Sequence, residues 1–224
     1  ANPVDAEFNW WGDASGPSGQ GPGTGDAVST NVDYSPWLGM VPGTSPMTWH
    51  TNDSIQDAVD AASSGDSIMA YNGTYEEQVL IDKDLTLEGE SLSTIIQAPA
   101  SMPVCAATSY DWHAIVCITD GADVTVDTLT VDGNGQGNTN YKFMGVAYRD
   151  AGGTVDTVEF KDVRDTPFSG AQHGVALYLY NDDDAGRSIN VWDCTFTGFQ
   201  KNAMALNASA TTPLVVDVDG NTIT

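Results

Sequence analysis

The chain of 224 residues carries seven Lys+Arg against 31 Asp+Glu, a formal net charge of −24. A field of that sign repels nucleic acid and anionic membranes, so neither is an expected partner. Hydrophobic residues make up 41%, enough for a packed core, yet no apolar run approaches the roughly 18 residues of a membrane-spanning helix.

Residues 1–49 show almost no regular period and are rich in Gly, Pro, Ser and aromatics, from "NWWGDASGP" to "YSPWLGMVPGTSPMTW". They read as an irregular extension. A change comes at "TNDSIQDAVDAASSGD", where Ile55, Ala58, Val59 and Ala62 fall at i, i+3, i+4 and i+7. This predicts one short amphipathic helix over about 53–63, capped by Asn52 or Asp53 and stopped by Gly65.

Beyond the helix the period becomes two, and "SIMAY", "QVLI", "LTLEG" and "STIIQ" read as short strands between turns. Cys105 and Cys117 flank a loop holding Tyr110, Asp111 and Trp112, which a disulfide would close in an oxidising compartment. Acid is mostly aspartate, 25 Asp to 6 Glu, a residue of turns and calcium loops. Asp132 and Asn134 in "VDGNGQGN", and Asp182, Asp183 and Asp184 in "NDDDAG", are the candidate Ca2+ ligands. Neither stretch is a full calcium loop with a terminal Glu. His50, His113 and His173 are scattered, with no base–nucleophile arrangement around them.

The later chain repeats. Val126, Val155, Val191 and Val218 head similar strands, separated by 29, 36 and 27 residues. Val116, Val146, Val175 and Met204 form a second series at 30, 29 and 29. Two series with one common period describe a coil that returns to the same place each lap, so equivalent residues stack in ladders. Leu129, Val158 and Cys194 are one expected inward ladder; Val131, Phe160, Phe196 and Ile223 are another. Cys194 is then a small core hydrophobe rather than a reactive thiol. The expected fold is all-β, a parallel solenoid over 50–224 with a capping helix at its start.

The stretch "SIQDAVDAASSGDSIMAYNGTYEEQVLIDKDLTLEGE" resembles the right-handed parallel β-helix superfamily of pectate lyases, pectin esterases and many microbial surface proteins. The resemblance implies the fold and a capped first coil, but many activities share that fold. "GTYEEQVLI" is similar to the Gly-x-Tyr-x-Glu entry of pectin methylesterases, whose later paired aspartates do not appear. "NWWGDASGP" with "GDAVSTNVDYSPWL" looks like the segment that closes the C-terminal end of such helices. "VDAEFNWW" also aligns with "VDVDGNTI", placing Ala6 on Val218, Asn9 on Asn221 and Trp11 on Ile223.

The expected function is therefore a non-enzymatic, extracellular structural or adhesive β-helix whose partner is itself, head to tail. Val4, Ala6, Phe8, Trp10, Trp11, Tyr34 and Trp37 would form the displaced rung and cap. Val216, Val218 and Ile223 would form the open end that it completes. Two other arrangements stay open: the segment clasps its own open end, or the chain is cut from a longer tandem protein. The alternative function is a polysaccharide-acting enzyme (lyase, epimerase or esterase type) or a carbohydrate-binding fragment of one; aromatics such as Trp112, Tyr141 and Tyr148 would then stack on sugar rings, whereas packing over an edge of the fold is their commoner role.

Overall fold

The computed structural model describes residues 3–183, 185–208 and 213–224. Alternation in "DVTVD" buries Val124 and Val126 and turns Thr125 and Asp127 outward. Strands of this kind lie side by side in an eight-stranded sheet. From one edge it runs Leu214–Asp219, Arg187–Trp192, Gly152–Asp156, Asp123–Asp127, Leu85–Gly89, Asp66–Ala70, Thr48–Thr51 and Trp37–Leu38. All its pairings are parallel except the last, where Trp37 and Leu38 run antiparallel to His50 and Trp49.

A second, wholly parallel sheet runs Thr222–Ile223, Thr195–Phe196, Glu159–Lys161, Thr130–Asp132, Thr94–Gln97 and Gly73–Glu76. A third holds Asn202–Ala208, Val175–Asn181, Phe143–Arg149 and Asp111–Ile118, the last also pairing with Val79–Ile81 and, antiparallel, with Ala106–Ala107. From Asp66 onward the chain visits first, second and third sheet in that fixed rotation. One continuous apolar core lies between them, reaching from Ile55 to Ala203.

The spacing of the repeats becomes register. Val126 pairs with Val155, Val155 with Val191, and Val191 with Val218. Val131, Phe160, Phe196 and Ile223 also stand in line, and the rings of Phe160 and Phe196 stack at 4.8 Å, 3° from parallel. Leu129, Val158 and Cys194 are all buried in the core. In the third sheet one expected member is wrong. Val146 pairs with Leu177, and Leu177 with Met204, while Val175 lies opposite Met144. The reason is local: Ile115 and Val116, and again Ala176 and Leu177, are consecutive residues of the main core, so the alternation slips there. Val175 instead joins a smaller apolar cluster with Trp112, Cys117, Met144 and Tyr178.

In the last four laps, two residues turn the chain from the first sheet into the second. The leading one is left-handed each time: Thr128 (φ 51°), Thr157 (52°), Asp193 (50°) and Gly220 (68°). Non-glycine residues seldom adopt this conformation, so its recurrence marks a constrained corner. Passage from the second sheet to the third varies far more, taking residues 98–110, 133–142, 162–174 and 197–201.

The helix is shorter than expected, Ile55–Ala61, and its cap is Ser54 rather than Asn52 or Asp53. The Ser54 hydroxyl accepts the Asp57 N–H at 3.1 Å. Glu77 supplies the rest, accepting the N–H groups of Ile55 (2.7 Å) and Gln56 (3.0 Å). These donors have no partner within the helix itself. At the other end Lys83 Nζ donates to the carbonyls of Val59 and Ala62, each at 3.1 Å. Tyr75 is buried, and its hydroxyl donates to Thr51 O and Tyr71 O. The Tyr and Glu of the Gly-x-Tyr-x-Glu stretch thus hold the helix and its entry strand.

The first 49 residues are less irregular than their sequence suggests. Val4–Asp5 pairs in parallel with Val32–Asp33, and Ser18–Gly19 with Ala27–Val28. The large sheet begins at Trp37, not near residue 50, because Trp37 and Leu38 bond to the strand that precedes the helix. Trp37 is fully buried, stacked on Tyr71 at 5.5 Å with His50 against its edge. Gly16 lies so close to that indole that a Cβ there would fall 2.6 Å from it. The segment is therefore packed on its own chain, at the sheet edge opposite Leu214–Asp219. This excludes an intramolecular clasp of the other edge in this structure.

Candidate functional site

Two surfaces stand out by their residue chemistry. The first is the edge formed by Asn202–Ala208, Leu214–Asp219 and Thr222–Ile223, which are edge strands of all three sheets. Leu206 pairs with Leu179, Val218 with Val191 and Ile223 with Phe196; the three inner partners are buried. The outer three continue the core ladders but are exposed, Val218 at 46% and Ile223 at 55%. Val216 is half-buried against the core. Among the described residues no strand pairs with the outer sides of these three, and apolar side chains beside free strand edges are a feature that natural proteins usually cover.

The second surface is Val4–Trp11, which shares two local features with Val216–Ile223 without pairing with that sheet. Phe8 is left-handed (φ 60°), as is Gly220 at the matching place. Asn9 donates its side-chain N–H to the carbonyl two residues back, Glu7 O, at 3.1 Å; Asn221 does the same to Asp219 O at 2.8 Å. Asn221 also reaches across one lap. Its Nδ2 donates to Val191 O at 2.7 Å, and its Oδ1 accepts the Cys194 N–H at 2.9 Å. The N–H groups of Val4, Ala6 and Phe8 are held by the carbonyls of Asn31, Asp33 and Pro36. Val4 and Phe8 are exposed, although Phe8 meets Trp49 edge-on at 6.1 Å.

Not every residue expected in this set belongs to it. Trp37 is fully buried within its own chain and has no face for a neighbour. Tyr34 lies against Trp37 and its hydroxyl accepts from Asn52 Nδ2 at 3.4 Å, so it braces the extension internally. Ala6, Trp10 and Trp11 are half-buried. Trp11 O accepts the Asp26 N–H at 2.6 Å, tying the rung to the glycine-rich stretch after it.

The calcium candidates do not converge. Asp132 is buried, where its carboxylate accepts the Asn134 N–H and the side-chain amide of Gln97, and faces Lys161 Nζ at 3.5 Å. Asp182 accepts from the Tyr180 hydroxyl and Asp183 pairs with Arg187. Asp184 lies outside the described residues. Among the described residues no group of three His, Cys, Asp or Glu is placed to hold a metal ion.

Cys105 and Cys117 are joined by a disulfide, with their Cα atoms 6.3 Å apart. It fastens the 98–110 passage over the small apolar cluster on the outer face of the third sheet. Trp112 and Tyr148 are buried and unable to stack on a ligand, whereas Tyr141 is exposed. His173, unremarkable in sequence, is buried in a polar hub. Its Nε2 meets Asp165 Oδ1 at 2.9 Å and its Nδ1 faces the Phe143 N–H at 3.5 Å. Ser169 and Gln200 also donate to Asp165. Serine here bonds to the carboxylate rather than the imidazole, so the three do not form a nucleophilic relay. The hub fixes two adjacent passages instead, and no local motif announces it.

No model of a known protein family matches the chain, and a search of curated proteins likewise finds no match.

Proposed function

We propose that the three sheets are the faces of a right-handed parallel β-helix, and that this coil is an extracellular structural or adhesive element joined end to end with a second copy of itself. The rotation of the chain through three largely parallel sheets supports the coil, and the strong preference of parallel crossovers for one hand supports its sense. The Cys105–Cys117 disulfide and the net charge of −24 support an oxidising, extracellular setting.

One observation carries the end-to-end reading: Val4–Trp11 reproduces the corner and the asparagine bond of the rung at Val216–Ile223. Stacked on that rung in another copy, Asn9 would repeat what Asn221 does to the lap beneath it. Its amide would donate to Val218 O and its oxygen would accept the Asn221 N–H. Val218 and Ile223 would be covered by Ala6 and Trp11. Such a contact is heterologous and propagates into a filament.

The test is assembly as a function of concentration, followed by light scattering and negative-stain electron microscopy. The unaltered chain should form linear species. Val218→Asp with Ile223→Asp, both at exposed positions, should leave it monomeric and folded. A chain that stays monomeric at high concentration, or filaments indifferent to the double substitution, would end the proposal.

A further inference from the structure

The outer flank of the third sheet carries a cleft of about 130 Å³ lined by Tyr110, Lys142, Tyr178, Lys201, Asn207 and their neighbours. Its electrostatics run against the rest of the molecule. In a chain with 31 acidic residues, no Asp or Glu among the described residues lines this cleft. Five of the seven basic residues are already engaged: Arg149, Lys161, Arg164 and Arg187 face aspartates, and Lys83 caps the helix. Among the described residues Lys142 and Lys201 have no carboxylate within ion-pair distance, and both stand at this cleft.

The groups in and around the cleft are built to hold shape. Lys142 Nζ sits 4.5 Å from the centre of the Tyr110 ring and 5.0 Å from that of Tyr141. The Tyr110 and Tyr178 hydroxyls are 3.2 Å apart, and Asn207 Nδ2 donates to Tyr178 at 2.9 Å. Beneath lies His173, locked to Asp165 and packed against Tyr141 at 5.4 Å. Tyr141 does not line the cleft but stands beside it, next to Lys142 and His173, and is 59% exposed, leaving ring surface open to a ligand at the rim.

We infer that this cleft binds a single carboxylated sugar residue carried on an otherwise neutral glycan. The two ammonium groups receive the carboxylate, the exposed Tyr141 ring takes the sugar face, and Asn207 and the tyrosine hydroxyls meet sugar hydroxyls. The cleft is well below the roughly 300–1,000 Å³ of a pocket for a whole drug-sized ligand, so it takes one ring. The net charge of −24 opposes any long polyanion, which selects a glycan whose acid is isolated. This rests on the cleft alone and is independent of end-to-end assembly.

Calorimetric or NMR titration of the full chain with glucuronate and with N-acetylneuraminate tests it, with glucose and acetate as controls. At least one acidic sugar should bind saturably, and both controls should fail to. Lys201→Met and Lys142→Asn should each weaken binding by roughly ten-fold or more, the loss expected for a charge-assisted contact. Asparagine is chosen because Lys142 is left-handed (φ 60°), which asparagine tolerates. Tyr141→Ala, at an exposed position, should weaken binding with the near-ultraviolet circular dichroism unchanged. The inference is overturned if neither acidic sugar binds, if acetate or glucose binds as well, or if folded lysine variants bind unchanged.

Discussion

The Glu77 carboxylate accepts the Ile55 N–H at 2.7 Å, so a residue just after the strand Gly73–Glu76 closes a helix that ended 16 residues earlier in the chain. Burial is the main influence on this carboxyl and leaves its pKa above the ordinary 4.5, although bonds from Ile55, Gln56 and Ser54 pull it back. A carboxyl raised by folding favours the folded state at low pH, and that contribution is lost as pH rises through its folded pKa. Glu77→Gln should therefore flatten the slope while keeping an acceptor for the helix. Glu77→Ala should cost about 1–3 kcal/mol by leaving buried donors unmet. Chemical unfolding of both variants across pH checks this; equal losses in the two would show that the capping bonds contribute nothing.

His50 gives a second pH signal of opposite sense. Burial holds its imidazole below the ordinary 6.5. The unfolded chain takes up the proton first, so stability is present above 6.5 and declines as pH falls towards the folded value. Trp37 lies against His50 at 5.7 Å, so tryptophan fluorescence should report loosening of the N-terminal segment below pH 6.5. His50→Gln should abolish that transition, and its persistence with the same midpoint would assign it elsewhere.

Asp165 should be an acid-sensitive link between two passages from the second sheet to the third. Burial works to raise its pKa, but bonds from Ser169 and Gln200, with the charge and bond of His173, outweigh it and leave the carboxyl below 3.8. Its contribution is present above 3.8 and lost as pH falls through the folded value. Asp165→Asn should lower unfolding free energy at neutral pH by about 1–3 kcal/mol. The gap from the unaltered chain should close in strong acid, as urea unfolding at the two conditions would reveal.

Cys194 should be inert while the chain is folded. Burial pushes its thiol up to about 11, and the residue sits in the core ladder with Leu129 and Val158. Iodoacetamide should label it only after denaturation. Rapid labelling of the native protein would mean that the ladder opens.

The stacked rings of Phe160 and Phe196 fill two successive laps. Phe160→Ala should cost about 3–5 kcal/mol, the usual loss for deleting a buried aromatic ring. Thermal unfolding would measure it, and a loss below 1 kcal/mol would mean that the neighbouring laps collapse into the space.

The ladder of Val126, Val155, Val191 and Val218 was legible because each strand keeps strict alternation, so spacing translates directly into register. Val175 departs from its expected register because consecutive inward residues break that alternation, and nothing in composition marks such a slip. The cap from Glu77 and the hub around Asp165 join residues far apart in sequence, where periodicity is silent. The burial of Trp37 escapes the sequence for a related reason. An aromatic in a glycine-rich stretch signals packing, but not against which surface. The rung-like character of Val4–Trp11 was visible as an alignment, while its attachment to Asn31, Asp33 and Pro36 was not.

The contrast between the fixed two-residue corner and the variable passages gives the molecule a division of labour under mutation. Insertions and deletions at the corner would shift every ladder above them, whereas residues 133–142, 162–174 and 197–201 vary in length beside an unchanged register. Tyr141, Lys142, His173 and Lys201, which build or support the basic cleft, all come from those tolerant passages. Descendants of this chain can therefore change the chemistry of one flank without altering the register of the sheets. The same flank is the natural place to graft a foreign peptide for display.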